Sequence, residues 1–286
     1  MKEIMLIIVV LFCALQNVTK KGFGAKVGGG GTFFFSGLSS LFAMLFFIFT
    51  STEFVFDAAV IPYSLGFGLS YAVSMIFGYL AIASGSASLS ALINSYSLMI
   101  PAFYGLIFLS EPMGKFFIPG LTLLLISIFL INKKTDNESS TFTPKWIFFV
   151  VMSFIGGGMC SVTQKMQQVA FDGKYKNEFM IAALLFVLIV NIVFAIIKER
   201  QNIKLYLKKG WYLGSVCGIM NGIVNLFVMI LTTELKMSAS VMFPVIGAGS
   251  LIITYIFYRF MFKEVLTKPQ LAGFILGIIS VLFLNI

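Results

Sequence analysis

The sequence has no histidine, only three cysteines and few charged residues, and these scarcities exclude most soluble enzyme classes. Charged residues make up 11% of the chain, whereas a soluble domain normally carries about 25%. The lack of histidine removes the commonest general base and the commonest metal ligand. Cys13, Cys160 and Cys217 lie far apart inside apolar runs, which favours buried thiols over disulfides or metal ligands. We therefore expect no enzyme activity, no cofactor and no metal.

The chain is instead rich in apolar residues. Hydrophobic residues account for 59% of it and the mean hydropathy is +1.01. A soluble fold would have to cover its surface with Phe and Leu, which solubility forbids. The sequence therefore predicts a multi-pass protein of the cell membrane, with the lipid bilayer as its partner. Basic residues produce the net charge of +9, but they lie in short connectors, where membrane orientation explains them without a nucleic acid.

A helix needs about 20 mostly apolar residues to cross the hydrocarbon core, and ten runs meet this requirement. They lie near 4–21, 32–50, 59–83, 87–109, 115–132, 146–170, 179–198, 210–232, 239–260 and 268–285. None alternates with the period of two that is typical of a membrane barrel strand. The predicted fold class is an all-α polytopic membrane protein with ten transmembrane helices. We interpret the N-terminal apolar run as the first of these helices and not as a cleaved signal peptide.

The two halves of the chain resemble each other. The polar linker NKKTDNESSTFTPK splits the spans five and five, and three elements recur in the same order. VTKK at 18–21 returns as VTQK at 162–165, SAS at 86–88 returns at 238–240, and Glu111 returns as Glu264. A five-helix unit ends on the opposite side of the membrane, so its duplicate runs upside down. We predict inverted repeats over 1–135 and 145–286, joined by a linker over 136–144.

The segments LSEPMGKFFIPG at 109–120 and FKEVLTKPQLAG at 262–273 resemble the EamA-like repeat of the drug/metabolite transporter superfamily. Each half has a Pro in its fourth helix, a later Glu, a Gly nine residues on, and a Lys near the end of its first helix: Pro101, Glu111, Gly120 and Lys21, then Pro244, Glu264, Gly273 and Lys165. The resemblance covers the whole chain and implies ten helices, a central cavity and alternating access, without naming a cargo.

The sequence departs from that family pattern at two points. The Trp-Gly pair often seen in the first helix is absent, with Ala14 and Leu15 nearby. The connector STEFVFD at 51–57 is acidic, where relatives usually carry Lys and Arg. Connectors after odd-numbered spans hold 14 of the 20 Lys and Arg residues, the others hold 5, and Lys165 is assigned to neither side. This bias predicts that both termini lie outside the cell.

Polar side chains are costly in hydrocarbon, so we expect those in the spans to face the bundle interior and either pair or bind a cargo. Asn221 and Asn225 share one helix face, and Gly214, Gly218 and Gly222 allow a neighbouring helix to approach closely. In the third span Phe67, Tyr71, Ser74 and Gly78 follow one face. The predicted substrate-binding residues are Asn17, Tyr71, Asn94, Gln164, Asn221, Asn225 and Tyr255, with Gln168 nearby.

The remaining candidates each have two readings. Glu111 and Glu264 either cap the helix that follows, paired with a Lys four residues on, or take part in gating or proton coupling. Pro101 and Pro244 are expected to kink their helices and free a carbonyl. Lys21 and Lys165 either extend to the headgroups or point inward, where they would attract a carboxylate or phosphate.

No acidic residue lies in the middle of a span, which disfavours cation/proton antiport. The function these features favour is secondary transport of a small-molecule substrate. The alternatives are an exporter of drug-like or quaternary ammonium compounds and a non-transporting scaffold or channel. Whether the chain forms a homodimer is left open.

Overall fold

The computed structural model describes residues 2–51, 53–55, 57–84, 93–94, 96–112, 114–132, 143–261 and 268–284, and these contain helices and no strand. Ten α-helices have both ends within these ranges, and we number them in chain order. They are α1 Lys2–Val27, α2 Thr32–Thr50, α3 Ile61–Ser84, α4 Met99–Phe108, α5 Phe117–Asn132, α6 Pro144–Ala170, α7 Lys176–Lys198, α8 Ile203–Thr233, α9 Ala239–Met261 and α10 Lys268–Leu284. Short 3-10 helices cover Ala58–Val60, Tyr96–Leu98 and Arg200–Asn202.

Each predicted span overlaps one of these helices. Among the described residues seven helices are long and apolar enough to cross a membrane, namely α1, α2, α3, α6, α7, α8 and α9. The helices α4, α5 and α10 are apolar but shorter. The protein is therefore an all-helical, multi-pass membrane protein, and ten crossings in two repeats stay a prediction. Of the linker predicted over 136–144, only its last two residues lie in the described ranges.

The largest extension beyond a predicted span occurs at the start of α8, which begins at Ile203 instead of 210. Its 31 residues measure about 46 Å at 1.5 Å per residue, whereas the hydrocarbon core is only about 30 Å thick. The extra turns carry Lys204, Lys208 and Lys209. A hydropathy pattern detects only the apolar part of a helix. It therefore missed these charged first turns, although their backbone is helical.

The described chain folds into two compact units. Unit 1 contains residues 1–72 and 166–235, and unit 2 contains residues 73–165 and 236–286. Each unit therefore combines helices from both halves of the sequence. Unit 1 holds α1, α2, α7 and α8, unit 2 holds α4, α5, α9 and α10, and the residues of α3 and α6 are shared out between the units.

Glycines on α8 let α2 pack closely against it within unit 1. A Cβ at Gly218 would lie 2.7 Å from Cβ of Phe42 and would overlap the carbonyl oxygen of Ser39. Added Cβ atoms at Gly214 and Gly222 would likewise press on Leu38 and Phe46 of α2. Small residues four positions apart are the usual means by which membrane helices come close, so the close approach predicted beside these glycines is confirmed.

Two carboxylates at the ends of α7 bind the backbone of the segment that contains α2. Glu199, just past the end of α7, accepts hydrogen bonds from the N–H groups of Phe33 and Phe34, at 3.0 and 2.8 Å. Glu178, in the first turn of α7, accepts one from the N–H of Val55, just beyond α2, at 3.1 Å. These contacts show that α2 and α7 run antiparallel. They also satisfy first-turn N–H groups of α2 that have no partner within the helix.

We expect Glu199→Ala to lower the stability of the protein by about 1–2 kcal/mol, because it leaves two N–H groups of α2 without their acceptor. Glu53→Ala is the matched control, since that carboxylate is exposed and its loss should change stability by less than about 0.5 kcal/mol. Thermal unfolding in detergent measures both variants. Equal melting temperatures for the two would show that Glu199 does not hold the start of α2.

In unit 2, α5 and α10 are joined by a reciprocal pair of hydrogen bonds. The hydroxyl of Ser127 donates to the carbonyl oxygen of Gly273 at 2.7 Å, and that of Ser280 donates to the carbonyl oxygen of Gly120 at 2.8 Å. All four groups are buried. Since the late part of each helix contacts the early part of the other, the two helices run antiparallel.

The helices α4 and α9 of unit 2 are also antiparallel. A Cβ at Gly105, late in α4, would lie 3.0 Å from Cβ of Ala239 at the start of α9. A Cβ at Gly247, further along α9, would lie 2.9 Å from a methyl carbon of Leu98, just before α4. The start of α9 is therefore placed beside the end of α4, where the candidate site lies.

Candidate functional site

Glu111 follows the end of α4 and lies six residues before the start of α5. The expectation that it caps the following helix and pairs with Lys115 is wrong. Its carboxylate lies instead at the start of α9, more than a hundred residues further along the chain. Chain folding overrides the local i, i+4 spacing here, because the described residues between Glu111 and α5 (112 and 114–116) are not helical.

The carboxylate of Glu111 accepts a hydrogen bond from the backbone N–H of Ser240 at 3.1 Å. Ser240 is the second residue of α9, so this N–H is one of the four at a helix start that have no partner within the helix. The helix dipole also favours a negative charge at this end. Ser240 itself is 1% exposed, and its hydroxyl oxygen is buried without a hydrogen-bond partner in the described structure.

The second partner of Glu111 is Lys165, whose Nζ lies 3.1 Å from the other carboxylate oxygen. The side chain of Lys165 is 5% exposed and that of Glu111 is 11% exposed. Lys165 Nζ also lies 3.5 Å from the carbonyl oxygen of Met237, just before α9. Lys165 therefore does not extend to solvent or headgroups. We call Glu111, Lys165 and Ser240 the Glu111 cluster, and all of it belongs to unit 2.

The backbone around Glu111 is shaped to place its carboxylate. Gly105 leaves room for it, because a Cβ there would overlap the carboxylate oxygen that binds Ser240. Glu111 N–H donates to the carbonyl oxygen of Gly105 at 3.1 Å. Ser110 has φ of 50°, a left-handed conformation that a residue with a side chain rarely adopts. The fold thus accepts local strain immediately before the residue that reaches α9.

A second polar cluster in unit 2 joins α3 to α6. The Ser74 hydroxyl donates to the carbonyl oxygen of Ser153 at 3.1 Å, and the Ser153 hydroxyl donates to that of Ser74 at 2.9 Å. A Cβ at Gly78 would lie 3.0 Å from Oγ of Ser153 and 3.6 Å from Nδ2 of Asn94. The buried Oδ1 of Asn94 has no hydrogen-bond partner in the described parts of the chain, so Asn94 retains an unused acceptor.

In unit 1 the predicted amides form a chain between α8 and α1. Asn225 Nδ2 donates to Oδ1 and to the backbone oxygen of Asn221, at 3.0 and 2.9 Å. Asn221 Nδ2 donates to Oε1 of Gln16 on α1 at 3.3 Å. Tyr71 of α3 shares a 2.9 Å hydrogen bond with Ser36 of α2. All of these residues except Ser36 are partly exposed.

The remaining predicted residues lie on α1, α6 and α9. Asn17 and Lys21 of α1 and Tyr255 of α9 are partly buried, whereas Gln164 is 4% exposed and Gln168 is fully buried. Gln168 donates to the side chain of Gln167. By unit, Asn17, Tyr71, Asn221 and Asn225 lie in unit 1, and Asn94, Gln164 and Tyr255 lie in unit 2.

The two prolines are both buried but occupy different positions in their helices. Pro244 lies inside α9, where its missing N–H leaves a carbonyl without its helical partner. Pro101 is the third residue of α4, in the first turn, where a helix loses no internal hydrogen bond. The expected freed carbonyl therefore applies to Pro244 and not to the interior of α4. Glu264 lies outside the described residues.

Sequence reasoning missed Ser240 and Ser153 as functional candidates. A signal for Ser240 was present, because it ends the second SAS tripeptide, and the three repeated elements each supply one member of the Glu111 cluster. Lys165 comes from VTQK, Ser240 from SAS and Glu111 from the Glu/Lys element. Only the tertiary structure shows that these distant elements meet. Nothing in the sequence distinguishes Ser153 from other serines in the spans.

Comparison with known proteins identifies the fold but not a family. No protein-family model and no curated protein sequence matches the chain. The structure matches 29 solved chains, so the fold has been observed before. One of these is a crystal structure that aligns with a TM-score of 0.77 and 10% sequence identity over 98% of both chains. At that identity the likeness concerns the fold alone.

Proposed function

We propose that the protein is a secondary transporter that moves a small metabolite by alternating access between two inverted five-helix repeats. The first repeat contains α1 to α5 and the second contains α6 to α10. A carrier of this kind places its cargo site where the repeats meet, so that rocking of one against the other exposes the site to each side in turn.

The reciprocal hydrogen bonds between α5 and α10 are the main support. Gly120 and Gly273 are 153 residues apart, and so are Ser127 and Ser280. Ser127 of α5 binds the carbonyl of Gly273, which is the counterpart of Gly120 in α5. Ser280 of α10 binds the carbonyl of Gly120, which is the counterpart of Gly273 in α10. Such an exchange between equivalent groups is expected from a local twofold axis. The pairs α2/α7 and α4/α9 hold corresponding places in the two halves and also pack antiparallel, as an inverted repeat requires.

The Glu111 cluster adds support from sequence. Each of its members has a counterpart in the other half, in the same motif and the same order: Lys21, Ser88 and Glu264. Duplication of one ancestral unit explains why three separate motifs recur together. Ser88 and Glu264 lie outside the described residues. We therefore propose equivalent roles for the two sets on the basis of sequence alone.

Buried and half-buried polar side chains in the spans supply the chemistry for holding a cargo. The buried Oδ1 of Asn94 has no partner in the described structure, and Asn221 and Asn225 add two amide groups on α8. Such groups are expensive in hydrocarbon and usually mark a substrate path. No Gly-rich phosphate loop of the type that binds ATP is present in the sequence, which favours coupling to a gradient or to exchange.

Counterflow in proteoliposomes tests the proposal. A mixture of radiolabelled metabolites, with the same compounds unlabelled inside, should give saturable uptake that exceeds equilibrium. We expect Tyr71→Phe and Asn221→Ala to lower uptake about 5- to 30-fold, because each removes hydrogen bonds worth about 1–2 kcal/mol. Leu69→Ala is the matched control, since Leu69 lies on the same helix as Tyr71 and is 55% exposed.

Three outcomes would contradict the proposal. Uptake that never saturates would indicate a channel, and no uptake of any compound by folded protein would indicate a scaffold. Uptake of quaternary ammonium cations alone would favour the drug-exporter alternative instead of a metabolite carrier.

A further inference from the structure

We propose that the Glu111 cluster is a carboxylate-binding site for the cargo, which the protein's own Glu111 fills when no cargo is bound. The inference rests on the proposed transport function and adds a substrate class to it, namely small acids or zwitterions that carry a free carboxylate. The side chain of Glu111 then stands in for the carboxylate of the cargo.

The receptor part of the site consists of the groups that bind Glu111. They are Nζ of Lys165 and the backbone N–H of Ser240, each 3.1 Å from a carboxylate oxygen. This combination of an ammonium group and an unpaired N–H at a helix start is the standard chemistry for holding a carboxylate. The buried Ser240 hydroxyl, which has no described partner, offers a third donor that Glu111 does not use. Glu111 therefore leaves one donor of the receptor unsatisfied.

Glu111 is placed so that another carboxylate can take its position beside Lys165 and Ser240. It projects from the connector between α4 and α5, whose described residues are not helical, whereas Lys165 and Ser240 are fixed on long helices. The left-handed conformation of Ser110 stores strain in this connector. When Glu111 leaves, an incoming carboxylate compensates Lys165 in its place. Exchange of one carboxylate for another keeps the buried charge balanced, which departure without a replacement does not.

The first experiment measures anion binding to purified protein in phosphatidylcholine nanodiscs. Acetate and formate are titrated against Glu111→Ala, which empties the site, and chloride is the comparison anion. We expect a saturable rise in melting temperature with the carboxylates, and an apparent affinity at least about tenfold higher than for wild type, where Glu111 competes. The double variant Glu111→Ala/Lys165→Met should lose the effect. An equal rise in the double variant, or no rise in folded Glu111→Ala, overturns the proposal.

Gly105→Ala provides a second route that deletes no charge and serves if Glu111→Ala does not fold. The added methyl overlaps the position of the Glu111 carboxylate and should displace it from Ser240. We again expect at least about tenfold tighter acetate binding than in wild type. Unchanged affinity overturns the proposal. Lys115→Ala is the matched control, because Lys115 is exposed and lies outside the cluster.

Counterflow separates failure of this inference from failure of the transport function. Acids and their neutral amides are compared as cargo in wild type and in Lys165→Met. We expect wild type to move the acids at least tenfold faster than the amides, and Lys165→Met to lose this preference. Equal transport of acids and amides overturns the inference and leaves the carrier intact. Carboxylate binding without counterflow of any compound overturns the carrier instead.

Discussion

Replacement of Glu111 by alanine is expected to destabilise the protein by about 3–5 kcal/mol, more than replacement of Lys165 by methionine. Loss of one partner of a buried ion pair leaves the other charge uncompensated. The two losses differ, because without Lys165 the carboxylate still binds Ser240 at the start of α9. Without Glu111, the partner that Lys165 keeps in the described structure is the carbonyl oxygen of Met237 at 3.5 Å. Thermal unfolding of both single variants in detergent without added carboxylates measures the difference.

The double variant Glu111→Ala/Lys165→Met completes a thermodynamic cycle. We expect it to be more stable than Glu111→Ala alone, because the unpaired buried charge is gone. The charge swap Glu111→Lys/Lys165→Glu should recover little, since it places a positive charge against the positive end of α9. Additive losses, or full recovery by the swap, would show that the pair and the helix start do not act together. Lys115→Ala should stay within about 0.5 kcal/mol of wild type.

Substitution of Gly218 should have the second large effect. Gly218→Ala is expected to cost at least about 1–3 kcal/mol, the usual range for an overpacked core, because its methyl overlaps backbone atoms of α2 that cannot rotate away. Gly218→Leu should prevent α2 and α8 from packing and abolish the folded protein. Melting temperature and the monodisperse yield after purification report both results.

Gly24 supplies the matched control for this series. It also lies within a helix, α1, but a Cβ there would meet nothing within 4 Å. Gly24→Ala should therefore leave stability unchanged or raise it by up to about 1 kcal/mol through helix propensity. A similar loss for Gly24→Ala and Gly218→Ala would mean that the close approach of α2 is not what requires glycine at 218.

The helices were predictable because a bilayer of fixed thickness imposes a run of apolar residues on each of them. The α2 span, predicted over 32–50, has the observed bounds Thr32–Thr50. Prediction was weakest where the helix and the apolar run differ in length, as at the charged start of α8. It was also weak for the span predicted over 87–109. There the α-helix α4 begins only at Met99, after the 3-10 helix Tyr96–Leu98, and residues 87–92 and 95 lie outside the described ranges.

The candidate site was only partly predictable, for a different reason. The glycine face of α8 and the pair Asn221 and Asn225 follow from helical spacing, and the structure contains both. The partner of Glu111 does not follow from spacing, because the local pattern pointed to Lys115. The true contacts come from positions 54 and 129 residues further along the chain, as the residue numbers show. Such contacts depend on how helices pack, which composition and periodicity do not encode.

The sequence by itself determined that the protein is a helical, multi-pass membrane protein, and its repeated motifs predict two similar halves. Both properties are local, since one depends on apolar length and the other on repeated short motifs. Only the tertiary structure decided that a buried lysine and a connector carboxylate neutralise each other at the start of α9. That pairing depends on which remote segments of the chain come within a few ångströms of each other. It matters because a buried charge without an opposite charge beside it is costly away from water.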